Sequence, residues 1–512
     1  MDIALVENRL LVFGCEMMRF IVRGLILLLS LSGVVVPSVA FSKIRPPLSA
    51  GQFYPADPAK LYGDVEKMMT SFPAMGIRGV HAIVVPHAGY KYSGEVAGAS
   101  FRQVSNDFER VFILASNHKN GLSFRGPVLP DATSFAIPGA EIPLAPVVEE
   151  LRRSGMKSLD EAHSMHMIEL ALPFLVSLKK KSANPNFSIV PLILGQMDTG
   201  EIQSLADLLT RYADDKTLFV FSVDLSHYYP ADQAEKLDQF TIRAMMSRDP
   251  EDIARATTDG NHVLLTLLNL AAKKEWEPSF LKYRHSGDAT GDRSRVVGYA
   301  SIVFHDPLVL TDTEKEKLLY VASQSVRRGV NHYPPWGLAL AGNEGWRQID
   351  PKLMDDFPLF NISRGTFVTL KKGGILRGCI GDILPDSTLL TSVTQNAMRA
   401  ALNDPRFSAV TSGELNDLTV SISVLDYPRR LQTRYPAELL KSLVPGKDGV
   451  ILASHGRQST FLPQVWEELP IPETFLNRLC LKQQSPADCW KDPETVVYHY
   501  QAMEFGGVPL GH

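Results

Sequence analysis

The sequence predicts an α/β first domain, a mostly parallel sheet flanked by helices, followed by an α+β second domain. Three observations carry this. Short apolar runs alternate with amphipathic helical patterns between residues 44 and 305, the order expected of strands crossed over by helices. Several of those runs are followed at once by histidine or carboxylate residues, which is where an α/β fold displays its binding groups. Beyond about residue 309 the candidate strands and helices follow a different, α+β order.

In the first domain the strand candidates are residues 82–85, 110–115, 188–194, 218–223 and 296–304. Helical patterns cover 58–71, 168–181 and 231–247, and Asn184-Pro185-Asn186 and Ala213-Asp214-Asp215 punctuate the loops. His305-Asp306-Pro307 closes the last strand. Thr311-Asp312-Thr313-Glu314 then supplies capping residues for a helix through about 328, so the domain boundary is expected near 308. The expected division is 1–43 as a signal peptide or membrane-anchor segment, 44–307 as the first domain and 308–512 as the second. In the second domain, strands are expected at 365–371, 418–425 and 449–454, and helices at 389–402 and 472–481.

Bulk composition narrows the function. The chain has 512 residues, 45% hydrophobic and 21% charged, with a net charge of -4. That is ordinary globular composition, and it lacks the basic face a nucleic-acid binder needs. Arg19 and Arg23 precede the apolar stretch Leu25-Ile26-Leu27-Leu28-Leu29 and a Pro37-Ser38-Val39-Ala40 ending. A basic start, a short apolar run and a small-x-small ending describe a secretory signal with cleavage after Ala40. The alternative is an uncleaved anchor, although the run is short for a full span. Export, or N-terminal anchoring, is therefore expected; without a working signal the chain is cytoplasmic. Of four cysteines, Cys480 and Cys489 are near enough in sequence to pair in an oxidising compartment, though nothing in the sequence requires it.

The histidines cluster: eight of 13 fall between residues 81 and 285. A lone histidine is more often structural than a ligand. Here, however, Val84-Val85-Pro86-His87-Ala88-Gly89-Tyr90, Asn117-His118, His166 with Glu169, Val223-Asp224-Leu225-Ser226-His227 and Asp259-Gly260-Asn261-His262 follow one another. Imidazole plus carboxylate is the ligand set of a non-haem transition metal.

These motifs resemble the Memo family. Ala50-Gly51-Gln52-Phe53-Tyr54-Pro55, Pro86-His87-Ala88-Gly89-Tyr90, Asn117-His118, Asp224-Leu225-Ser226-His227 and His285-Ser286-Gly287-Asp288 carry the resemblance over residues 46–305. It implies a fold similar to class III extradiol dioxygenases and a metal site. The family's two ligand histidines fall on His87 and His118, and its ligand cysteine falls on Asp259. The departure replaces a soft thiolate by a hard carboxylate and gives the composition of a 2-His-1-carboxylate triad, suited to Fe(II), with Mn(II) or Zn(II) as alternatives. The rival is a degenerate site without metal. Asp224 and His227 match a family stretch beside the metal; His227 is expected as acid or base, Asp224 as its partner or as an orienting group. His166 and Glu169 are expected in the pocket on a shared helix face, although Met165 and Met167 depart from the family pattern. Tyr90 and Tyr92 are expected at the mouth, or as packing.

In the second domain, Leu376-Arg377-Gly378-Cys379-Ile380-Gly381 stands out. Cys379 beside Arg377 is a candidate thiolate, with a merely packed cysteine as the alternative. With Asn403-Asp404-Pro405-Arg406-Phe407, Ser421-Ile422-Ser423-Val424-Leu425 and Thr460-Phe461-Leu462-Pro463-Gln464, it resembles the AMME-chromosomal-region family over about 315–505. Arg377, Asp404 and Arg406 are the expected substrate-contacting residues beside Cys379.

Together the two resemblances imply the A and B components of an AmmeMemoRadiSam system in one chain, with a radical S-adenosylmethionine protein as partner. Three readings stay open. One is a metal-dependent, dioxygenase-like oxidoreductase. Another is a non-catalytic protein whose pocket accepts a peptide or small ligand. Metal-dependent hydrolysis is a third.

Overall fold

The structure is a computed structural model that describes residues 43–332, 347, 349, 350, 352–433 and 435–510. The expected signal segment and Cys15 lie outside these residues. Among the described residues no helix is long and apolar enough to cross a membrane.

The first domain is built on a mixed eight-stranded sheet. Its spine is four parallel strands in the order Val80–Val85, Thr217–Ser222, Arg110–Ser116 and Ser188–Leu194. Residues alternate strictly between the two faces. Ala82, Val84, Phe112, Leu114, Phe219 and Phe221 go to one core; Ile83, Val85, Val111, Ile113, Leu218 and Val220 go to the other. Both faces are covered, which is why these strands read as continuous apolar runs. The helices Thr199–Thr210, Ala231–Met246 and Asn261–Lys274 cover the first face; Pro58–Thr70, Tyr90–Phe101 and Leu172–Lys179 cover the second.

Local chemistry sets these helices. Asp57 caps Pro58–Thr70 by accepting from the Lys60 N–H at 2.8 Å, and Asp198 and Glu201 form a capping box on Thr199–Thr210. Leu61, Val65 and Met69 lie along one stripe of Pro58–Thr70 and are buried. Each contributes roughly 1.5–3 kcal/mol of transfer free energy.

The sheet is less parallel than expected. Glu277–His285 pairs antiparallel with Val296–His305, which pairs antiparallel with Val80–Val85; Pro127–Val128 is antiparallel on the far side. The first of these strands escapes a hydrophobicity scan because Lys282 and Arg284 interrupt it. The connection from 286 to 295 is too short for a parallel crossover, so the strand direction must reverse. Helix 168–181 also differs: the chain first makes a 3-10 turn, Glu169–Ala171, and then the α-helix Leu172–Lys179.

The second domain is sheet-rich. One antiparallel sheet has the order Ile375–Asp382, Thr366–Lys372, Leu418–Leu425, Ala502–Pro509. It packs on helices Asp312–His332 and Leu389–Leu402 through Val368, Leu370, Val420, Ile422, Leu318 and Val393. The hairpin between its first two strands pairs Lys372 with Ile375. Gly373 and Gly374, at φ of 56° and 83°, supply the two left-handed residues that such a two-residue turn demands. A second antiparallel sheet, Arg429–Arg430, Val496–Tyr500, Gly449–Ser454 and Arg457–Phe461, packs on helix Pro472–Lys482. Cys480 of that helix is disulfide-bonded to Cys489.

Candidate metal centre

Three neighbouring parallel strands deliver the site. His87 lies two residues beyond Val80–Val85, Asp224 two beyond Thr217–Ser222 and His118 two beyond Arg110–Ser116. Their carboxyl ends share one edge of the sheet, the usual place for a ligand in an α/β fold. Asp259 arrives from the loop before helix Asn261–Lys274. The Asp224 N–H donates to Asp259 Oδ1 at 3.1 Å, and the Asp259 N–H donates to the Asp224 carbonyl at 3.3 Å. Gly260 makes this approach feasible: a Cβ there would lie 2.6 Å from Val223.

The ring tautomers follow from the hydrogen bonds. The Ser222 hydroxyl donates to the Met167 carbonyl at 2.8 Å, so its oxygen accepts from His87 Nδ1, 3.0 Å away. His118 Nδ1 faces the Ser116 carbonyl at 3.1 Å, and His227 Nδ1 faces the Leu225 carbonyl at 2.8 Å. A carbonyl only accepts, so each Nδ1 carries the proton and each Nε2 is turned to the centre. Fixing the ligand nitrogen through the opposite ring nitrogen is the usual support for metal-binding histidines.

His87 Nε2, His118 Nε2 and Asp259 Oδ2 form a triangle with edges of 3.0, 3.1 and 3.3 Å. Three ligands about 2.1 Å from one ion, at angles of roughly 90–110°, lie about 3.0–3.4 Å apart. The residues present therefore fit a metal ion, bound on one face by two imidazoles and a carboxylate. Asp224, His227 and Asp259 form a second group within ligand reach of one another. It is looser, with His227 Nε2 at 4.0 Å from Asp259 Oδ2.

Electrostatics agree with a cation site. Burial alone would lower the His87 pKa, but Asp224 and Asp259 outweigh it and raise it to about 9. Burial would raise Asp259, yet His87 and His118 hold it well below the usual carboxylate range. Burial raises Asp224, whose Oδ1 accepts the His87 backbone N–H.

Asp259 borders a neighbouring hollow, while His87 and His118 open on a cavity of about 540 Å³. Phe53, Tyr92, His166, Tyr228, Arg295 and Tyr299 line it with His87, His118 and His227. The His166 ring stacks on Phe53 at 4.3 Å and sits 5.6 Å from the His87 ring. Burial, then the charge of His87 and of His118, pushes its pKa down to about 3, so it is a neutral ring. Sequence reasoning missed Ser222, Tyr228, Arg295 and Tyr299. Phe53 stood in a quoted motif, but nothing there assigned it to the pocket.

Two expected pocket residues are elsewhere. Glu169 is fully buried and receives Arg45 Nη1 at 2.8 Å, the N–H groups of Leu48 and Ser49, and the Tyr54 hydroxyl at 2.6 Å. It locks the N-terminal segment to the domain and does not share a helix face with His166, which precedes the 3-10 turn. Tyr90 is also buried, its hydroxyl donating to the Leu170 carbonyl at 2.7 Å; only Tyr92 reaches the cavity. His262 lines a separate hollow with Asn117 and Phe124.

In the second domain, Asp404, Arg406 and Cys379 meet. Asp404 accepts the Cys379 backbone N–H at 2.8 Å, and Arg406 grips both Asp404 and the Cys379 carbonyl. These side chains hold the backbone of Cys379, and the Arg406 guanidinium also lies beside its thiol. Its sulfur accepts from the Thr369 hydroxyl at 3.3 Å, and among the described residues no histidine or carboxylate hydrogen-bonds it. Arg377 does not join them; it forks onto Glu414 and the Ser408 carbonyl. Gly378 is fixed by packing: a Cβ would lie 2.0 Å from the Ala400 carbonyl.

Comparison with known proteins matches this arrangement. The Memo-like protein family model covers residues 45–303, and the AMMECR1 model covers 341–505. A MEMO1 family protein of Methanopyrus kandleri is 31% identical over 282 residues, 51% of this chain and 98% of that protein. A MEMO1 family protein of Archaeoglobus fulgidus is 33% identical over 273 residues, 51% of this chain and 99% of that protein. A protein of Methanothermobacter thermautotrophicus is 41% identical over 160 residues, 30% of this chain and 81% of that protein. With its strand-end histidines and its sheet-rich second half, the chain belongs to the Memo-like protein family and is a two-domain fusion that carries an AMMECR1 domain.

Proposed function

We propose that the first domain is a non-haem Fe(II)-dependent oxidoreductase, dioxygenase-like, acting on a small molecule held in the triad cavity. The observation that carries this reading is the triangle of His87 Nε2, His118 Nε2 and Asp259 Oδ2, two of whose members, His87 and His118, line an open cavity. His87, His118 and Asp259 would hold the metal, and a redox-active ion bound there would supply Lewis acidity and electron transfer. The remaining steps belong to the chain's own groups. His227, half-buried with Nδ1 tied to the Leu225 carbonyl, offers Nε2 to hold or deliver a proton. His166, neutral and stacked on Phe53, positions the substrate without adding charge. Asp224 orients the His87 loop. The fusion with an AMMECR1 domain supports a place in an AmmeMemoRadiSam-type system, with a radical S-adenosylmethionine protein as partner.

The test is elemental analysis of protein purified without oxygen, beside Asp259→Ala and His87→Ala. About one iron per chain, lost in both variants, is expected for a triad holding one ion. Zinc at the same stoichiometry would move the reading to hydrolysis. Absence of any metal after reconstitution would replace it by a non-catalytic binding protein.

A further inference from the structure

Between the two domains lies a cavity of about 450 Å³ that shares no lining residue with the cavity beside the metal centre. Its walls come from both domains: Arg248 and Glu277 from the first, Arg364, Asp426, Arg429 and His499 from the second. The volume is in the range of small-molecule sites.

The polar groups there are unbalanced. Glu277 pairs with Arg364 Nη2 at 3.2 Å, and Asp426 pairs with Arg429 Nη2 at 3.3 Å. Asp426 also accepts the Gln501 N–H at 2.7 Å, and Asp448 accepts the Val444 N–H at 2.7 Å. Glu277, Asp426 and Asp448 are thus matched, and the fourth acid, Glu275, is exposed to solvent. The arginines are matched only in part: Arg364 and Arg429 keep one donor each without an acceptor, and Arg248 has no acid partner among the described residues. Arg248 forms no ion pair among the described residues; its Nη1 donates to the Trp276 carbonyl at 3.1 Å, while Nε and Nη2 have no acceptor. Nε of Arg364, a residue only 2% exposed, and Nε of Arg429 also lack one. Every unsatisfied buried atom on these walls is a donor. A buried donor without a partner is destabilising, so four on three guanidinium groups call for an acceptor. Burial, and then the neighbouring Arg429 charge, pushes Arg248 down to about 10. Arg248 also holds a φ of 54°, a backbone conformation that long side chains rarely adopt.

We propose that this interdomain cavity is a binding site for a phosphate-type oxyanion, free phosphate or a phosphate ester, held chiefly by Arg248 and Arg429. The Nε/Nη2 edge of Arg248 is the fork that grips two oxygens of such an anion. Arg429, one-third exposed, reaches the same space from the other domain, and Arg364 backs them. A tetrahedral oxyanion offers acceptors in several directions, as donors arriving from three separate side chains require.

The test is calorimetric titration of the full chain with inorganic phosphate, glycerol phosphate and citrate, repeated on Arg248→Met and Arg429→Gln. Saturable binding of phosphate or glycerol phosphate, weakened at least about tenfold in Arg248→Met, is expected; the tighter of the two names the source. Binding of neither phosphate nor glycerol phosphate by the unaltered protein, affinity unchanged in Arg248→Met, or binding of citrate alone overturns the assignment. Should Arg248→Met fail to fold, crystals of the unaltered protein soaked in tungstate decide: an anomalous peak beside Arg248 supports the site, and none refutes it.

Discussion

The Asp224 carboxylate accepts the His87 backbone N–H at 2.8 Å, while its own N–H holds Asp259 Oδ1 at 3.1 Å. One residue thus ties two metal-ligand loops together, which makes it a positioning residue before any role in proton transfer. Asp224→Ala should keep metal stoichiometry but weaken affinity about 10- to 100-fold, with about 1–3 kcal/mol lost in urea unfolding because the His87 N–H is left buried. Asp224→Asn, which still accepts that N–H, should recover most of the stability. An Asn variant as damaged as the Ala variant would show that the charge, rather than the hydrogen bond, is what matters.

Glu169 gives the opposite pattern. It is the buried counter-ion of Arg45 and the acceptor for Leu48, Ser49 and Tyr54. Glu169→Gln strands the Arg45 guanidinium, itself 8% exposed, and should cost about 3–5 kcal/mol without altering metal content. Denaturant midpoints and elemental analysis on one preparation check both halves. Loss of metal at unchanged stability would return Glu169 to the pocket.

How far the sequence could be read depends on distance along the chain. His87, His118 and Asp224 were legible because each follows an apolar run, and parallel strands bring their carboxyl ends to one edge. Asp259 was legible only through the family motif, since its place depends on the Asp224 main chain 35 residues away. Glu169 and Tyr90 were misplaced because spacing says nothing about which way a side chain turns, and the 3-10 turn at Glu169–Ala171 rotates Glu169 inward. Glu277–His285 was missed because charged residues alternate through a strand near the sheet edge. The interdomain arginines were illegible, as Arg248, Arg364 and Arg429 meet only when both domains are folded.

Acid should destabilise the protein in a defined window. His305 is 1% exposed, with Nδ1 toward the Asp306 carbonyl and Nε2 toward the Ser279 hydroxyl. Burial, then the Arg364 charge, pushes its pKa down to about 4, against about 6.5 in the unfolded chain. Below pH 6.5 the unfolded chain takes up a proton that the folded one refuses until about pH 4, so stability falls with pH through that window. Buried His163, also pushed down to about 4, acts in the same sense. Between pH 7 and 5 each should remove about 2 kcal/mol. Urea midpoints at the two pH values, for the unaltered chain and His305→Asn, give the comparison; an equal pH loss in both would exclude His305 as a contributor.

Asp249 joins the domains, and its two duties are separable. It is 1% exposed and caps helix Pro250–Arg255 by accepting the N–H groups of Glu251 and Asp252. Across the boundary it accepts from Arg430 Nη1 at 3.2 Å and Gln432 Nε2 at 3.1 Å. Removing Asp249 therefore removes a cap, worth about 1 kcal/mol, leaves Gln432 without its acceptor, and leaves Arg430 with only Glu251, at 3.5 Å. Asp249→Ala should cost about 2–4 kcal/mol. Arg430→Ala should cost less, about 1–2 kcal/mol, because the carboxylate keeps its backbone donors and Gln432, and Arg430 is one-quarter exposed. The double variant should cost less than the sum of the two, since both remove the same ion pair. Strict additivity in a double-mutant cycle would mean that the pair does not couple the domains.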